Sequence, residues 1–369
     1  MTAPPPLAGI RVVDLTHHLG GPLATMYLAQ LGADVVKVEP PEGDGWRHVD
    51  SVRGESRVFH AVNRGKRGIV LDLATPEGRE ALGRLVDRAD VMVHSFTPGV
   101  AERLGAGPEE ALARNPRLVH CSLSAFGPEA RRGTDVAVQA ESGLAAANGG
   151  RPIPVPAHDT LAPLVMVSGI LAALLERERS GRGQVVETSL LEAASALAAH
   201  RLIREGSGEP LFNRFVGAFY RPYPTADGVI ALACYAPRLH EPLLRTLGLA
   251  GLLDDPRFAT MQARAANSDR LAAIVQERLA EAPAAEWAAV LREAGLPHGL
   301  GAERPFALLD HPEARRLGLV VEVDDPTLGR EEAVGPPLRL SRTPPRPGGP
   351  APRLGEHTAE VLAEIREVP

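Results

Sequence analysis

The stretch Pro6–Asp44, PLAGIRVVDLTHHLGGPLATMYLAQLGADVVKVEPPEGD, decides how this chain folds. Ile10–Asp14 (IRVVD) is an apolar run of strand length. Pro22–Leu31 has helical composition, and Asp34–Glu39 (DVVKVE) is a second strand. Two strands joined through a helix make a crossover, the connection that parallel neighbours require. The alternation continues outward. Gly68–Leu73 (GIVLDL) is a third strand, and Glu77–Asp87 an amphipathic helix after the turn Thr75-Pro76. Asp90–His94 (DVMVH) is a fourth strand, a short helix follows Pro98-Gly99, and Arg117–Leu123 (RLVHCSL) is a fifth strand. Repeated βαβ units define an α/β fold with a parallel sheet.

The texture changes near Gly206. The segment EGSGEPLFNR is polar and glycine-rich and reads as a linker, and Tyr223–Leu232 reads as strand, Asp-Gly turn, strand. Helical stretches near Arg238–Leu247, Ser268–Ala282 and Ala285–Ala294 complete a smaller α+β domain. From about Leu317 short strands return in LVVEVDD and AVGPPLRL. The loop TPPRPGGPAPR and a helix over His357–Ile365 follow. The expected division is 1–205 for the first part of a large domain, 206–310 for the small domain with its linker, and 311–369 for a return to the large one.

At 369 residues the chain can bury a sizeable core, and 44% hydrophobic with 23% charged residues is ordinary for a globular enzyme. A net charge of −6 gives no general attraction to nucleic acid or anionic membrane. Two cysteines, Cys121 and Cys234, exclude a disulfide framework and fit a reducing cytoplasm. The beginning MTAPPPLAGIRVVDL has no signal-peptide pattern. The apolar run Leu161–Leu175 is too short to span a bilayer and carries Pro163, Ser168 and Gly169, so it reads as a buried helix.

Familiar ligand signatures are missing. No G-x-G-x-x-G follows the first strand, and there is no phosphate-binding G-x-x-x-x-G-K-[ST] and no G-x-S-x-G elbow. Neither His-Glu-x-x-His nor paired Cys-x-x-Cys occurs, so no zinc site is expected. What remains after the first strand is Thr16-His17-His18-Leu19-Gly20-Gly21-Pro22. Its glycines admit close backbone approach, and Pro22 suits a first helical position. Such a helix start favours an anion or a developing oxyanion, or is simply a tight turn. Asn63-Arg64-Gly65-Lys66-Arg67 either meets phosphates or is a solvated loop. In Arg151–Ala193, RPIPVPAHDTLAPLVMVSGILAALLERERSGRGQVVETSLLEA, Asp159 stands just before a long apolar helix. It is either an N-cap or, if the helix begins at Pro163, a free carboxylate in the preceding loop.

Taken together, these blocks resemble the family III CoA-transferases, the group of formyl-CoA transferase and carnitine CoA-transferase with α-methylacyl-CoA racemase as a divergent branch. The resemblance runs nearly end to end. It spans PLAGIRVVDLTHHLGG, NRGKRGIVLDLATPEGREAL, ADVMVHSFTPGVAERLG, GILAALLERERSGRGQVVETSLLEA, YRPYPTADGVIALAC, AGLPHGL and LGEHTAEVL.

It implies a Rossmann-like large domain built from both termini, a small inserted domain, and an interlocked homodimer in the cytoplasm. The implied substrates are an acyl-CoA and a carboxylic acid, with no tightly bound cofactor, metal, nucleic acid or membrane partner. By its ten-residue distance from Gly169, Asp159 takes the family's nucleophile position. CoA contacts carry over to Leu19, Gly20, Leu71, Leu73, Ala74, Ser95, Phe96, Thr97, Arg103, Leu123, Ser124, Ala125 and Phe126, with Arg103 expected to pair with a CoA phosphate. The pocket is expected to be lined by the helix after Asp159, the His17-His18 loop and residues near Phe212–Tyr220. His17 and His18 either bind an acceptor carboxylate or make structural loop bonds.

Departures are visible. Ser95 stands where many members carry Asn, Ala74 and Ser124 where formyl-CoA transferase has Lys, and Pro163 where Gly is usual. A glycine-rich loop that covers the formyl-CoA transferase site has no counterpart between 206 and 300, which argues against an oxalate or formyl specificity. Two alternatives accompany CoA transfer: a 2-methylacyl-CoA racemase and a non-catalytic acyl-CoA-binding homologue. Thr134, where racemases of the family carry a His, argues against the first.

Overall fold

The structure, a computed structural model, describes residues 3–200, 202, 204, 206 and 217–366. It divides into two compact units, Met1–His200 with Pro312–Pro369, and Arg201–His311. Most of the segment read as a linker lies outside the described residues.

The first unit is built on six parallel strands: β1 (Arg11–Leu15), β2 (Asp34–Glu39), β3 (Arg67–Val70), β4 (Val91–His94), β5 (Val119–Ser124) and β6 (Val185–Ser189). Their spatial order is β3-β2-β1-β4-β5-β6. Val12 sits between Val35 and Val91 in register, and all three are buried. Apolar runs rather than alternation are what a sheet covered on both faces requires. The order reverses between β1 and β4. A crevice therefore opens beyond their carboxyl ends, where ligands bind in open α/β sheets.

The helix after β1 begins at Gly20, two residues earlier than expected, and runs to Gln30. Pro22 is thus its third residue rather than its first. That is tolerated because the first-turn N–H groups of a helix have no intrahelical acceptor. The long helix spans Ala157–Ser180 and ends on Gly181 in the left-handed region. It does not begin at Pro163, which sits within it. This helix is long and apolar enough to cross a membrane by composition. However, Ala162, Met166, Ile170 and Ala173 are buried against the Gly20–Gln30 helix and the β5–β6 face. Burying Met166 and Ile170 contributes about 1.5–3 kcal/mol each.

Pro312–Pro369 adds an antiparallel hairpin, Val320–Asp325 with Gly329–Val334, and a final helix, Thr358–Arg366. The second hairpin strand stops at Val334, short of the run read from sequence, where Pro336 and Pro337 offer no N–H to a ladder. The final helix packs on β3 and on the helix Pro76–Val86. Arg67 pairs with Asp34 at 2.7 Å, Glu364 at 2.6 Å and Glu360 at 3.0 Å.

The second unit has its own core. A three-stranded antiparallel sheet, His298–Leu300, Val229–Ala233 and Tyr220–Pro224, carries helices that include Ser268–Leu279 and Ala284–Glu293. Tyr223, Ile230, Phe258, Val275, Trp287 and Leu291 fill the space between them.

Candidate active site

A cavity of about 680 Å³ lies at the strand-order reversal of the first unit. The loop after β1 lines it with His17 to Gly21, the loop after β4 with Ser95 to Pro98, and the end of β5 with Leu123 to Ala125. Trp46, Arg131 to Thr134, Ala137, Asp159 and Leu190 complete the wall.

Asp159 is neither a cap nor a loop residue. It is the third residue of its helix, and the capping role falls to Asp135. Asp135 Oδ2 accepts the backbone N–H of His158 at 2.7 Å and of Asp159 at 3.2 Å. Asp135 Oδ1 is held by Gln139 Nε2 at 2.5 Å, and Gln139 in turn anchors the proline-rich loop through Ile153 N and Val155 O. With the orphan donors satisfied from another helix, the Asp159 carboxylate is spared that work. Among the described residues no donor pairs with its side-chain oxygens. Burial, with the nearby Asp135 carboxylate adding to it, pushes the Asp159 carboxyl up to about 6. Such a group is ionised at neutral pH yet poorly solvated, the condition of a reactive carboxylate.

Gly20 faces this carboxylate. A Cβ there would lie 3.5 Å from Asp159 Oδ1 and 3.0 Å from Leu123 Cδ2. Gly21 is still more confined, since its Cβ would meet Thr16 Cβ at 2.4 Å. Both glycines therefore serve close approach, and they bring a helix N-terminus up to the acid. Leu19 is the N-cap and contributes no side-chain bond. His18 adopts a left-handed φ of 65°, held by its N–H on Asp44 Oδ1 at 3.3 Å. The His17 N–H donates to Ser95 Oγ at 3.0 Å, tying the β1 and β4 loops together across the crevice.

Buried charges brace these loops from below. Asp14 accepts Thr16 Oγ1 at 2.5 Å, Thr25 Oγ1 at 2.7 Å and Lys66 Nζ at 2.9 Å. Burial alone would raise the Asp14 carboxyl, but Lys66 and Lys37 hold it well below the usual carboxylate range. Lys66 also donates to Pro22 O at 2.9 Å and Asn63 Oδ1 at 2.7 Å, and burial pushes its ammonium down to about 8. Lys37 bridges Thr16 O at 2.8 Å and Asp44 Oδ2 at 3.1 Å. Burial first, and then Lys37, keeps the His17 imidazole below its ordinary value. His94, stacked on Phe96, is pushed down to about 3 by burial and by His120.

The basic segment Arg64–Arg67 is accordingly neither a phosphate site nor a solvated loop. Lys66 is consumed by Asp14, Arg67 by the terminal helix, and buried Arg64 donates to Val334 O at 2.5 Å.

Of the residues expected to contact CoA, the cavity brings together Leu19, Gly20, Ser95, Phe96, Thr97, Leu123, Ser124 and Ala125 with Asp159. Leu71 instead lines a second cavity of about 450 Å³ beside the terminal helix. Leu73 and Ala74 follow it in the β3 loop, outside the first cavity. Arg103 is exposed and donates to Gly99 O at 2.6 Å. Phe126 is buried under the Arg131 guanidinium. Of the segment near Phe212–Tyr220, residues 212–216 lie outside the described residues, and Phe219 is in the second unit's core. Sequence reading missed Asp135, Trp46, Arg131, Arg132 and Leu190. Asp135 carried one usable signal, its place at a helix start beside Thr134.

The family model for CoA-transferase family III matches residues 7–358. The chain therefore belongs to CoA-transferase family III, and it is a CoA-transferase acting between acyl-CoA thioesters and acids. It is 36% identical to a succinate–glutarate CoA-transferase of Agrobacterium fabrum, over 99% of this chain and 96% of that one. It is 34% identical to the probable fatty acyl-CoA transferase Rv3272 of Mycobacterium tuberculosis, over 97% and 98%. Among solved structures, a CaiB/BaiF family protein from Brucella suis superposes with a TM-score of 0.86 at 32% identity, covering 98% of this chain and all of the other.

Proposed function

We propose that this enzyme moves CoA from a donor acyl-CoA to a small dicarboxylic acid through a covalent intermediate on Asp159. The observation that carries the reading is a half-buried, uncapped carboxylate facing a glycine helix N-terminus in the crevice of a family III chain. The Asp159 carboxylate attacks the thioester carbonyl, forming a mixed anhydride and expelling CoA thiolate. The thiolate attacks the Asp159 carbonyl, giving an aspartyl-CoA thioester and releasing the donor acid. The acceptor carboxylate then attacks that thioester, forming a second anhydride and again freeing the thiolate. Attack of the thiolate on the acceptor's carbonyl yields the new acyl-CoA and restores Asp159. Backbone N–H groups at Leu19 and Gly20 stabilise the tetrahedral oxyanions, and the half-buried wall limits loss of the intermediates to water. Leu71, Leu73, Ala74, Ser95, Phe96, Thr97, Leu123, Ser124, Ala125 and Phe126 contact CoA, with Arg103 on a phosphate.

The dicarboxylate class rests on the succinate–glutarate relative and on Arg132, an exposed cation on the cavity wall. Neighbouring Arg131 is already engaged by Glu141 at 2.8 and 3.1 Å, leaving Arg132 to meet a distal carboxylate. Two units of the kind described serve as the large and small domains of an interlocked homodimer working in the cytoplasm. The long helix supports this. Its outer face exposes Leu164, Leu171 and Leu175, an apolar stripe that a second copy would cover.

Hydroxylamine added during incubation with acyl-CoA should leave a hydroxamate at Asp159, read by mass spectrometry. Turnover of donor and acceptor with no adduct at that residue refutes the covalent route. α-Proton exchange in deuterated water without transfer would instead mark an isomerase. Arg132→Gln should raise KM for glutarate-like acceptors about tenfold or more while leaving monocarboxylate KM unchanged, consistent with loss of one charged hydrogen bond of about 1.5–3 kcal/mol. A panel in which only long-chain acids are accepted overturns the dicarboxylate assignment.

A further inference from the structure

Outside the cavity, His60 on the helix Arg57–Asn63 meets two carboxylates from the hairpin Val320–Val334. His60 Nδ1 is 3.5 Å from Asp325 Oδ2 and 3.5 Å from Glu331 Oε2. His60 is 5% exposed and its Nδ1 has no hydrogen-bond partner, while Asp325 is 7% exposed. At 3.5 Å these separations exceed a normal N–H···O bond. They match two ligands of one metal, because metal–ligand bonds of about 2.0–2.2 Å place neighbouring tetrahedral donors about 3.3–3.6 Å apart. One nitrogen and two carboxylate oxygens all lie within 4.8 Å of one another.

The surroundings are arranged accordingly. The other ring nitrogen, His60 Nε2, is 3.3 Å from Glu55 Oε2, a carboxylate placed as metal-bound imidazoles commonly use one to fix tautomer and orientation. Asp325 Oδ1 accepts the N–H groups of Thr327 and Leu328, both at 2.8 Å, which fixes the carboxylate and points Oδ2 toward His60. Three acids surround one imidazole, and Arg64 interacts with Glu331 from the side, so the cluster is an acidic setting suited to a divalent cation. Ligand motifs are recognised by short spacings, and these ligands come from opposite ends of the chain.

The geometry points to a divalent transition-metal site, of the Zn²⁺ type, formed by His60, Asp325 and Glu331 with solvent in the remaining position. Its role is structural: it clamps the C-terminal hairpin onto the N-terminal part of the same unit, beside the Arg64–Val334 bond. Glu55 is a positioning residue and does not itself bind the ion.

The test uses the full chain, stripped with a chelator and titrated with Zn²⁺ while metal content is measured by mass spectrometry. One Zn²⁺ per chain is expected, with a rise in melting temperature on loading. Glu331→Gln, at the more exposed edge of the cluster, should keep the native circular dichroism and lose stoichiometric binding, as should Asp325→Asn. Glu55→Gln should retain the site with an affinity about 10–100-fold weaker. A stripped chain that takes up no Zn²⁺ overturns the proposal. So does a melting temperature indifferent to Zn²⁺, or binding undiminished in both Glu331→Gln and Asp325→Asn, which would place the metal on surface histidines.

Discussion

A single carboxylate, Asp159, shows how far a residue's neighbours decide its chemistry. Asp near a helix start is ordinarily a cap, and alone it would be read so. Here Asp135 takes the His158 and Asp159 N–H groups, and burial lifts the Asp159 carboxyl to about 6. That elevation has a consequence for stability. Below the unfolded value of 3.8 the group is protonated in both states and imposes no penalty; the native state loses this advantage as pH rises through about 6. Asp159→Asn should therefore raise stability at pH 8 by about 2–3 kcal/mol while abolishing transfer, and the gain should vanish near pH 4. Denaturant titration at the two pH values measures it; equal gains at both would refute the buried-charge explanation. On the proposed covalent route, kcat/KM for CoA transfer should likewise fall on an acidic limb near pH 6, where the Asp159 carboxylate takes up a proton.

At the scale of elements, the β1 loop and the helix after it form one device. Thr16 is locked by Asp14, Gly21 sits against the Thr16 side chain, and Gly20 is thereby brought against Asp159. Gly→Ala inside a helix ordinarily gains roughly 0.5–1 kcal/mol. At Gly21 the new methyl would overlap Thr16, so Gly21→Ala should instead cost about 1–3 kcal/mol and reduce kcat by displacing the helix start. Thermal melts together with kcat values check this; a stabilised, fully active Gly21→Ala protein would show that the close packing does not matter. The same elements explain why the Arg64–Arg67 segment does not bind phosphate. Lys66 reaches under the loop to Asp14, so removing it would take away the cation bonded directly to that buried carboxylate and leave only Lys37 and the two threonine hydroxyls to offset its charge.

Across the whole molecule, unit 1 gathers Met1–His200 and Pro312–Pro369 into one body. The long helix keeps Leu164, Leu171 and Leu175 on its outer face, an arrangement suited to a self-associating chain. If the proposed homodimer buries this stripe, Leu171→Glu should lower its melting temperature and its activity in parallel and leave less dimer in sedimentation velocity; a dimer of unchanged stability would remove that helix from the interface. Much of this architecture was legible in the primary structure. The IRVVD, DVVKVE and DVMVH runs and the helices between them announce parallel β1, β2 and β4, because apolar runs and crossover lengths are local properties of the chain. Asp159 was legible as a candidate through the resemblance to family III, which places the nucleophile ten residues before the position of Gly169; its own local surroundings read equally as a cap. The helix start at Ala157, the capping by Asp135, the capture of Lys66 and Arg64, and the meeting of His60 with Asp325 and Glu331 were not. Each depends on which distant side chain fills a buried position, and desolvation, which decides whether an acid caps, pairs or reacts, exists only once the chain has folded around it.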